Sequence, residues 1–384
     1  MRATGAASGD VGLVLTGGGS RSAYQVGVLR ALTEIVAHGS CPFRILAGVS
    51  AGAINCAALA CHANDFHAAV DGLSATWSSL TPDRVYRTDV PTLVVIALRW
   101  LLELTSGGLL RRAAINHLLD TRPLRTLLSS RLHMERIPQQ LRQGHLDSIA
   151  VSATNYHSGV GISFFDSAVA HPSWARSMRL GRREPLTLDH VMASTALPLF
   201  FPPVRIGNAL YGDGCIRLTS PLSPAVHLGA QRILAVGVHH SESGAETVAI
   251  DRESGHETLP VAEIAGVLLN AVFFDSLDAD IERLQRINHT LSVCPDATAK
   301  IGLRNIPILV LRPSTSLGTL AQQQYRRFPM PLRYLLRGIG ADESRGWDLL
   351  SYLAFEPVYV AMLMTLGYRD TLERRSDILE FLRG

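Results

Sequence analysis

Val11-Gly12-Leu13-Val14-Leu15-Thr16-Gly17-Gly18-Gly19-Ser20-Arg21 and, further along, Arg44-Ile45-Leu46-Ala47-Gly48-Val49-Ser50-Ala51-Gly52 each run a short apolar stretch into a glycine-bearing turn. Val11–Leu15 and Arg44–Ala47 are too short and too continuously apolar for helices, so both are expected to be buried strands. Behind the first turn, Ala23–Ala37 carries Val26, Leu29, Leu32, Ile35 and Val36 at helical spacing, with Gly39 as a stop. Behind the second, Ala51–Ala63 is a helix of small residues that can lie close on a sheet. Strand, helix, strand, helix in this order predicts an α/β fold with a parallel sheet and helices on its faces.

The two turns also carry chemistry. Gly48-Val49-Ser50-Ala51-Gly52 is a G-x-S-x-G turn between strand and helix, a bend that holds a serine hydroxyl outward. Gly17, Gly18 and Gly19 offer backbone N–H groups to an anion at a neighbouring strand end. A nucleophile beside an oxyanion hole points to serine hydrolase chemistry.

The rest of the chain bounds that reading. Its 384 residues are 47% hydrophobic and 18% charged, enough for a large core, and the net charge of +3 is too small to argue for nucleic acid. Five cysteines (Cys41, Cys56, Cys61, Cys215, Cys294) are odd in number and lack metal-type spacing, which suggests a reducing, cytoplasmic compartment. Neither a metal nor a cofactor is expected, since no His/Cys/Asp/Glu cluster has ligand spacing. Residues 1–10 show no secretory signal and are expected to be flexible.

Residues 81–146 look like a helical insertion, with ten arginines against four acids between Arg84 and Arg142. Within it, Leu93–Leu104 is too short to span a bilayer and is interrupted by Arg99 and Glu103. It is either an interfacial segment that meets anionic lipid, with Arg111 and Arg112 beside it, or a buried helix. Strands resume at Ser148–Ala153 and Gly161–Phe165. Asp189–Thr195 reads as a short helix, Ala209–Tyr211 as a strand leading into Gly212-Asp213-Gly214, and Arg232–Val238 as a further strand. His239–Leu259 is polar and reads as a mobile loop, Glu263–Leu291 as one long amphipathic helix, Ile306–Leu311 as a late strand, and the chain from Thr319 onward as mostly helical.

Two other folds compete for the glycine turns. An α/β-hydrolase places several strands before its nucleophile, and only one strand unit precedes Ser50. A dinucleotide site needs a third glycine where Ser22 stands and an acidic residue closing the second strand. The serine needs a base. Of fourteen histidines, His157 and His171 fall in polar loops, His190 and His227 in helices, and none in a distinctive turn. Asp213, between two glycines at a predicted strand end, is either that base or an ordinary Asp-Gly turn.

Taken together, the motifs resemble those of the patatin-like phospholipases. Gly17-Gly18-Gly19-Ser20-Arg21 is similar to the family's Gly-Gly-Gly-x-Arg loop, and Tyr24–Leu29 to its bacterial continuation. Gly48–Gly52 matches the nucleophile elbow. Ala193–Pro198 with Phe201-Pro202-Pro203 resembles the segment before the catalytic aspartate, and Asp213-Gly214 with Pro221 and Pro224 the aspartate motif. Ser22 stands where the family usually has Gly, and Cys215 where it has Gly or Ala. The resemblance implies a three-layer α/β/α fold with a central, mostly parallel sheet: a catalytic domain over 11–315 and a helical extension over 316–384. It implies a Ser50–Asp213 dyad, an oxyanion hole at Gly17–Gly19, and a lipid or phospholipid ester as substrate. Arg21 would bind substrate phosphate or brace the loop. Acyl transfer to an acceptor other than water, and a catalytically weak lipid-binding protein, are the alternatives.

Overall fold

The computed structural model describes residues 10–36, 39–87, 89–105, 117–240, 261–273, 275–293, 302–338, 340 and 347–383. Ten strands form one mixed sheet: β1 (Val11–Leu15), β2 (Ile45–Val49), β3 (Ser148–Asn155), β4 (Gly161–Ser167), β5 (Trp174–Arg176), β6 (Arg179–Arg183), β7 (Val204–Ile206), β8 (Ala209–Asp213), β9 (Arg232–Val236) and β10 (Ile308–Leu311). The path runs β10-β9-β1-β2-β3-β4-β6-β5, with β8 also paired to β3 and β7 to β8. From β10 to β3 every pairing is parallel, whereas β4 and β8 join β3 antiparallel.

Every residue of β1, β2 and β9 is buried, as continuous apolar runs covered on both faces should be. Alternation along β1 divides two cores. Val11, Leu13 and Leu15 join one cluster with Val26 and Leu29 of helix Ala23–Ile35 and Cys56, Ala57 and Leu59 of helix Ala51–Cys61. Val14 faces the other cluster, with Ala225 of helix Ser223–His227 and Leu277, Ile281 and Leu284 of helix Asp275–Val293. These are the three layers of the expected α/β/α arrangement.

Several boundaries differ from the sequence reading. β2 continues through Gly48 and Val49, so the turn at Ser50 has no spacer. The run expected as one helix over Glu263–Leu291 is helical over Val261–Phe273 and Asp275–Val293, with residue 274 outside the described residues. β5, β6 and β7 were not anticipated; they are short and partly exposed, and β6 reads Arg-Leu-Gly-Arg-Arg, so no apolar pattern marks them. The described part of 81–146 is helical, including Val90–Thr105 and Arg122–Arg131, and holds no strand. Arg111, Arg112 and the polar stretch over 241–259 lie outside the described residues, as do residues 1–9.

The C-terminal helices share the first core. Helix Pro357–Glu373 lies directly on helix Ala23–Ile35, and a Cβ at Gly27 would collide with the backbone of Met364. Tyr352, Leu353, Tyr359, Val360 and Leu363 are buried there with Tyr24 and Val28. Among the described residues the four cysteines are free and buried, and burial pushes the Cys41 and Cys61 thiols up to about 12.

Candidate active site

Register brings the site together. Leu15 pairs with Gly48 across β1–β2, Val49 with Ser152 across β2–β3, and Ala153 with Asp213 across β3–β8. The residue after β2 and the last residue of β8 therefore meet at the same end of β3, although 163 positions separate them.

Ser50 sits at φ 54° and ψ −132°, between β2 and the first residue of helix Ala51–Cys61. A non-glycine residue in this region stores about 1–3 kcal/mol of strain that its surroundings must hold. Its amide donates to Ser194 Oγ (2.8 Å), and Ser194 Oγ donates to the Ser152 carbonyl (2.6 Å), so helix Leu188–Ser194 clamps the turn to β3. Gly48, next to last in β2, lies under the turn, where a Cβ would collide with the backbone of Gly52 and Ala53. At Gly52 a Cβ would run into the carbonyl oxygens of Leu15 and Thr16, so only glycine lets the helix start against the end of β1.

Asp213 is fully buried. Ser50 Oγ donates to its Oδ2 at 2.6 Å, and the Cys215 amide donates to its Oδ1 at 2.9 Å. Thr154 Oγ1 donates to its carbonyl at 2.8 Å, fixing the strand end just before Gly214. Burial pushes the carboxyl up to about 6, while the Ser50 hydroxyl and Cys215 amide favour the charged form and limit the rise. A carboxylate so placed is a stronger base than one in water, and it already accepts a hydrogen bond from the serine hydroxyl. The histidines weighed above are engaged elsewhere. His190 bonds Glu184 (2.7 Å) and Thr187, and His227 stacks on Trp174.

The triple-glycine loop borders Ser50. A Cβ at Gly17 would lie 2.8 Å from Ser50 Cβ and overlap Cys215 Sγ, so only a glycine passes between them. Gly18 backs onto Val238, and Gly19 lines the same cavity as Ser50. Arg21 turns away from that cavity. At 2% exposure its Nε donates to Ser351 Oγ (2.6 Å), its Nη2 donates to Asp348 Oδ1 (2.8 Å), and its guanidinium lies over the Tyr352 ring. Of its two anticipated roles, these contacts correspond to bracing the loop.

Ser50 opens into an apolar channel enclosing about 650 Å³, mouth included. Ile54, Trp77, Leu80, Leu128, Leu197, Phe201, Phe273 and Phe355 line its walls. The almost wholly apolar lining suits a hydrocarbon chain whose carbonyl end lies at the serine.

Sequence reasoning missed the groups that hold these parts. Ser194 lies inside the quoted Ala193–Pro198 motif, but nothing local tells that its hydroxyl meets Ser50. Asn55 left a clearer signal, as a lone amide in the otherwise apolar helix Ala51–Cys61. It is fully buried.

A family model described as patatin-like phospholipase matches residues 13–226. No curated protein matches the chain by sequence. Among solved structures, VipD from Legionella pneumophila aligns over 97% of this chain and 67% of its own, at 15% identity and TM-score 0.37. Human GIVD cytosolic phospholipase A2, solved with methyl gamma-linolenyl fluorophosphonate, aligns over 98% of this chain and 59% of its own, at 15% identity and TM-score 0.43. The chain thus spans about three-fifths of the human protein's length.

Proposed function

Because the chain belongs to the patatin-like phospholipase family, we propose that it is a serine lipid acyl hydrolase of the phospholipase A or lysophospholipase type, working through a Ser50–Asp213 dyad. The observation that carries this reading is the 2.6 Å hydrogen bond from Ser50 Oγ to a fully buried Asp213 at the end of an apolar channel.

In this mechanism the substrate's acyl chain enters the channel and its carbonyl carbon meets Ser50 Oγ. As Oγ attacks, its proton passes to Asp213 Oδ2. The carbonyl oxygen becomes an oxyanion facing the Gly17–Gly19 amides, where removal of one donor in comparable sites costs about 3–4 kcal/mol of barrier. The N-terminus of helix Ala51–Cys61 favours negative charge at the same place. Collapse returns the proton from Asp213 to the leaving alcohol, and water then hydrolyses the acyl-enzyme by the same path. No cofactor enters. The Arg21 contacts support bracing of the loop.

Val94, Val95, Leu98 and Leu102 of helix Val90–Thr105 are each about half exposed. They support peripheral membrane contact within 93–112. Among the described residues no helix is long and apolar enough to cross a membrane.

The test combines fluorophosphonate labelling with turnover of phospholipids, lysophospholipids and short esters. Labelling at Ser50 is expected, with loss of hydrolysis in Ser50→Ala and Asp213→Asn. In the wild type, kcat/KM should rise with pH through about 6 as Asp213 ionises. Retained turnover in either variant refutes the dyad.

A further inference from the structure

Behind the oxyanion loop lies a continuous line of buried polar contacts. Trp77 Nε1 donates to Asn55 Oδ1 (2.8 Å), Asn55 Nδ2 donates to Gln25 Oε1 (2.9 Å), and Gln25 Nε2 donates to the Thr16 carbonyl (2.8 Å). Gln25 and Asn55 are fully buried and Trp77 is 2% exposed. The direction of the line is set at both ends: an indole N–H can only donate, and a carbonyl can only accept. Each amide therefore has one orientation, with its oxygen toward the tryptophan. Gln25 Nε2 also reaches the Val236 carbonyl (3.5 Å) and Asn55 Nδ2 the Ser22 carbonyl (3.4 Å), so it is the loss of a donor to Asn55 Oδ1 or Gln25 Oε1 that leaves a buried oxygen unpaired.

The two ends matter for the chemistry. Thr16 immediately precedes Gly17, and its hydroxyl is also held by the Val236 carbonyl at the end of β9 (3.2 Å). Trp77 belongs to helix Phe66–Ser78, and its ring forms part of the acyl channel wall. Asn55 connects them from within the helix that Ser50 opens.

We propose that Asn55, with Trp77 and Gln25, is a positioning residue that fixes the oxyanion loop through the Thr16 carbonyl, linking the acyl channel wall to the loop amides. The inference rests on the hydrolase reading above. None of the three residues touches the reacting atoms, so their effect should appear in kcat on every ester, including acyl groups too short to fill the channel. A wall residue acts differently, changing KM for long chains only.

The experiment uses the full chain, p-nitrophenyl acetate and p-nitrophenyl palmitate, and counts active sites by fluorophosphonate titration. Misfolding lowers the number of titratable sites, whereas misplacement lowers kcat per site. Asn55→Leu should lower kcat per site about tenfold to a hundredfold on both esters with KM little changed. Trp77→Phe, which keeps an apolar ring and removes the donor, should lower it about fivefold on both. An unchanged acetate kcat per site in Trp77→Phe overturns the proposal even where Asn55→Leu fails to fold. A change confined to the palmitate KM does so too. Turnover surviving in Ser50→Ala instead overturns the Ser50–Asp213 dyad on which the inference rests.

Discussion

Replacing Asp213 by Asn keeps the size and one acceptor oxygen of the side chain while removing its charge. The charge is expensive where it stands. Asp213 is fully buried, and its carboxyl is pushed from an ordinary 3.8 up to about 6. At about 1.36 kcal/mol per decade of proton affinity, the gap corresponds to about 3 kcal/mol. The native carboxyl holds its proton to higher pH than the unfolded chain does. Stability from this group is therefore greatest below the unfolded value of 3.8, falls as pH rises toward about 6, and stays lowered above that. Asparagine carries no such penalty. Its oxygen can still accept from the Cys215 amide, and its NH2 can donate to a reoriented Ser50 hydroxyl. Asp213→Asn should therefore be more stable than wild type at pH 7–8, by up to about 3 kcal/mol, and the gain should shrink steeply toward pH 4 and vanish about a unit below it. The assay is chemical denaturation of both proteins at matched pH values, so that the acid sensitivity of all other groups cancels in the difference. The same variant should lose ester hydrolysis. A variant no more stable than wild type at pH 8, or a difference that does not change with pH, refutes the argument that burial of the carboxylate raises its basicity.

Ser194→Ala removes the acceptor of the Ser50 amide and the donor to the Ser152 carbonyl. It should cost about 1–3 kcal/mol of stability and lower kcat, as measured by denaturation and by turnover per titrated site. Arg21→Lys replaces a guanidinium held by Ser351, Asp348 and the Tyr352 ring with a point charge. The melting temperature and kcat should fall together, and a raised KM for phospholipids alone, with stability intact, would contradict bracing. The pair Leu98→Glu with Leu102→Glu, on half-exposed positions, should weaken binding to anionic vesicles in a flotation assay while leaving turnover of a soluble short ester unchanged.

How far the sequence carried depends on the range of the interaction. The parallel sheet was legible because its strands are continuous apolar runs closed by glycine turns, and those signals are local. The nucleophile turn was legible for the same reason, because Gly52 must be glycine wherever a helix starts against a strand end. The proposed base was not legible from local residues. Asp213 as an Asp-Gly turn and Asp213 as a proton acceptor have the same sequence, and it is β8 returning antiparallel onto β3 that sets its carboxylate beside Ser50. That pairing depends on a partner far along the chain, so only the resemblance to a family anticipated it.

The supporting residues were less visible still, and for a chemical reason. Ser152, Thr154 and Ser194 are small hydroxyl residues that any turn or strand can carry, and their value lies in one bond each to a backbone group brought from elsewhere. Large buried amides differ. Neither Gln25 nor Asn55 can be buried cheaply without a partner, so an isolated amide in an apolar helix implies a second polar group opposite it. The sequence of helix Ala51–Cys61 thus held, unread, the signal of a buried polar contact at position 55. The structure supplies its partners and extends the line to the carbonyl in front of Gly17. The helix that carries Ser50 at its start therefore also carries, one turn further in, the group that ties down the neighbouring loop. Both halves of the proposed site are thereby tied to a single helix, a simple way to keep the proposed nucleophile and oxyanion hole in register when they come from different strands.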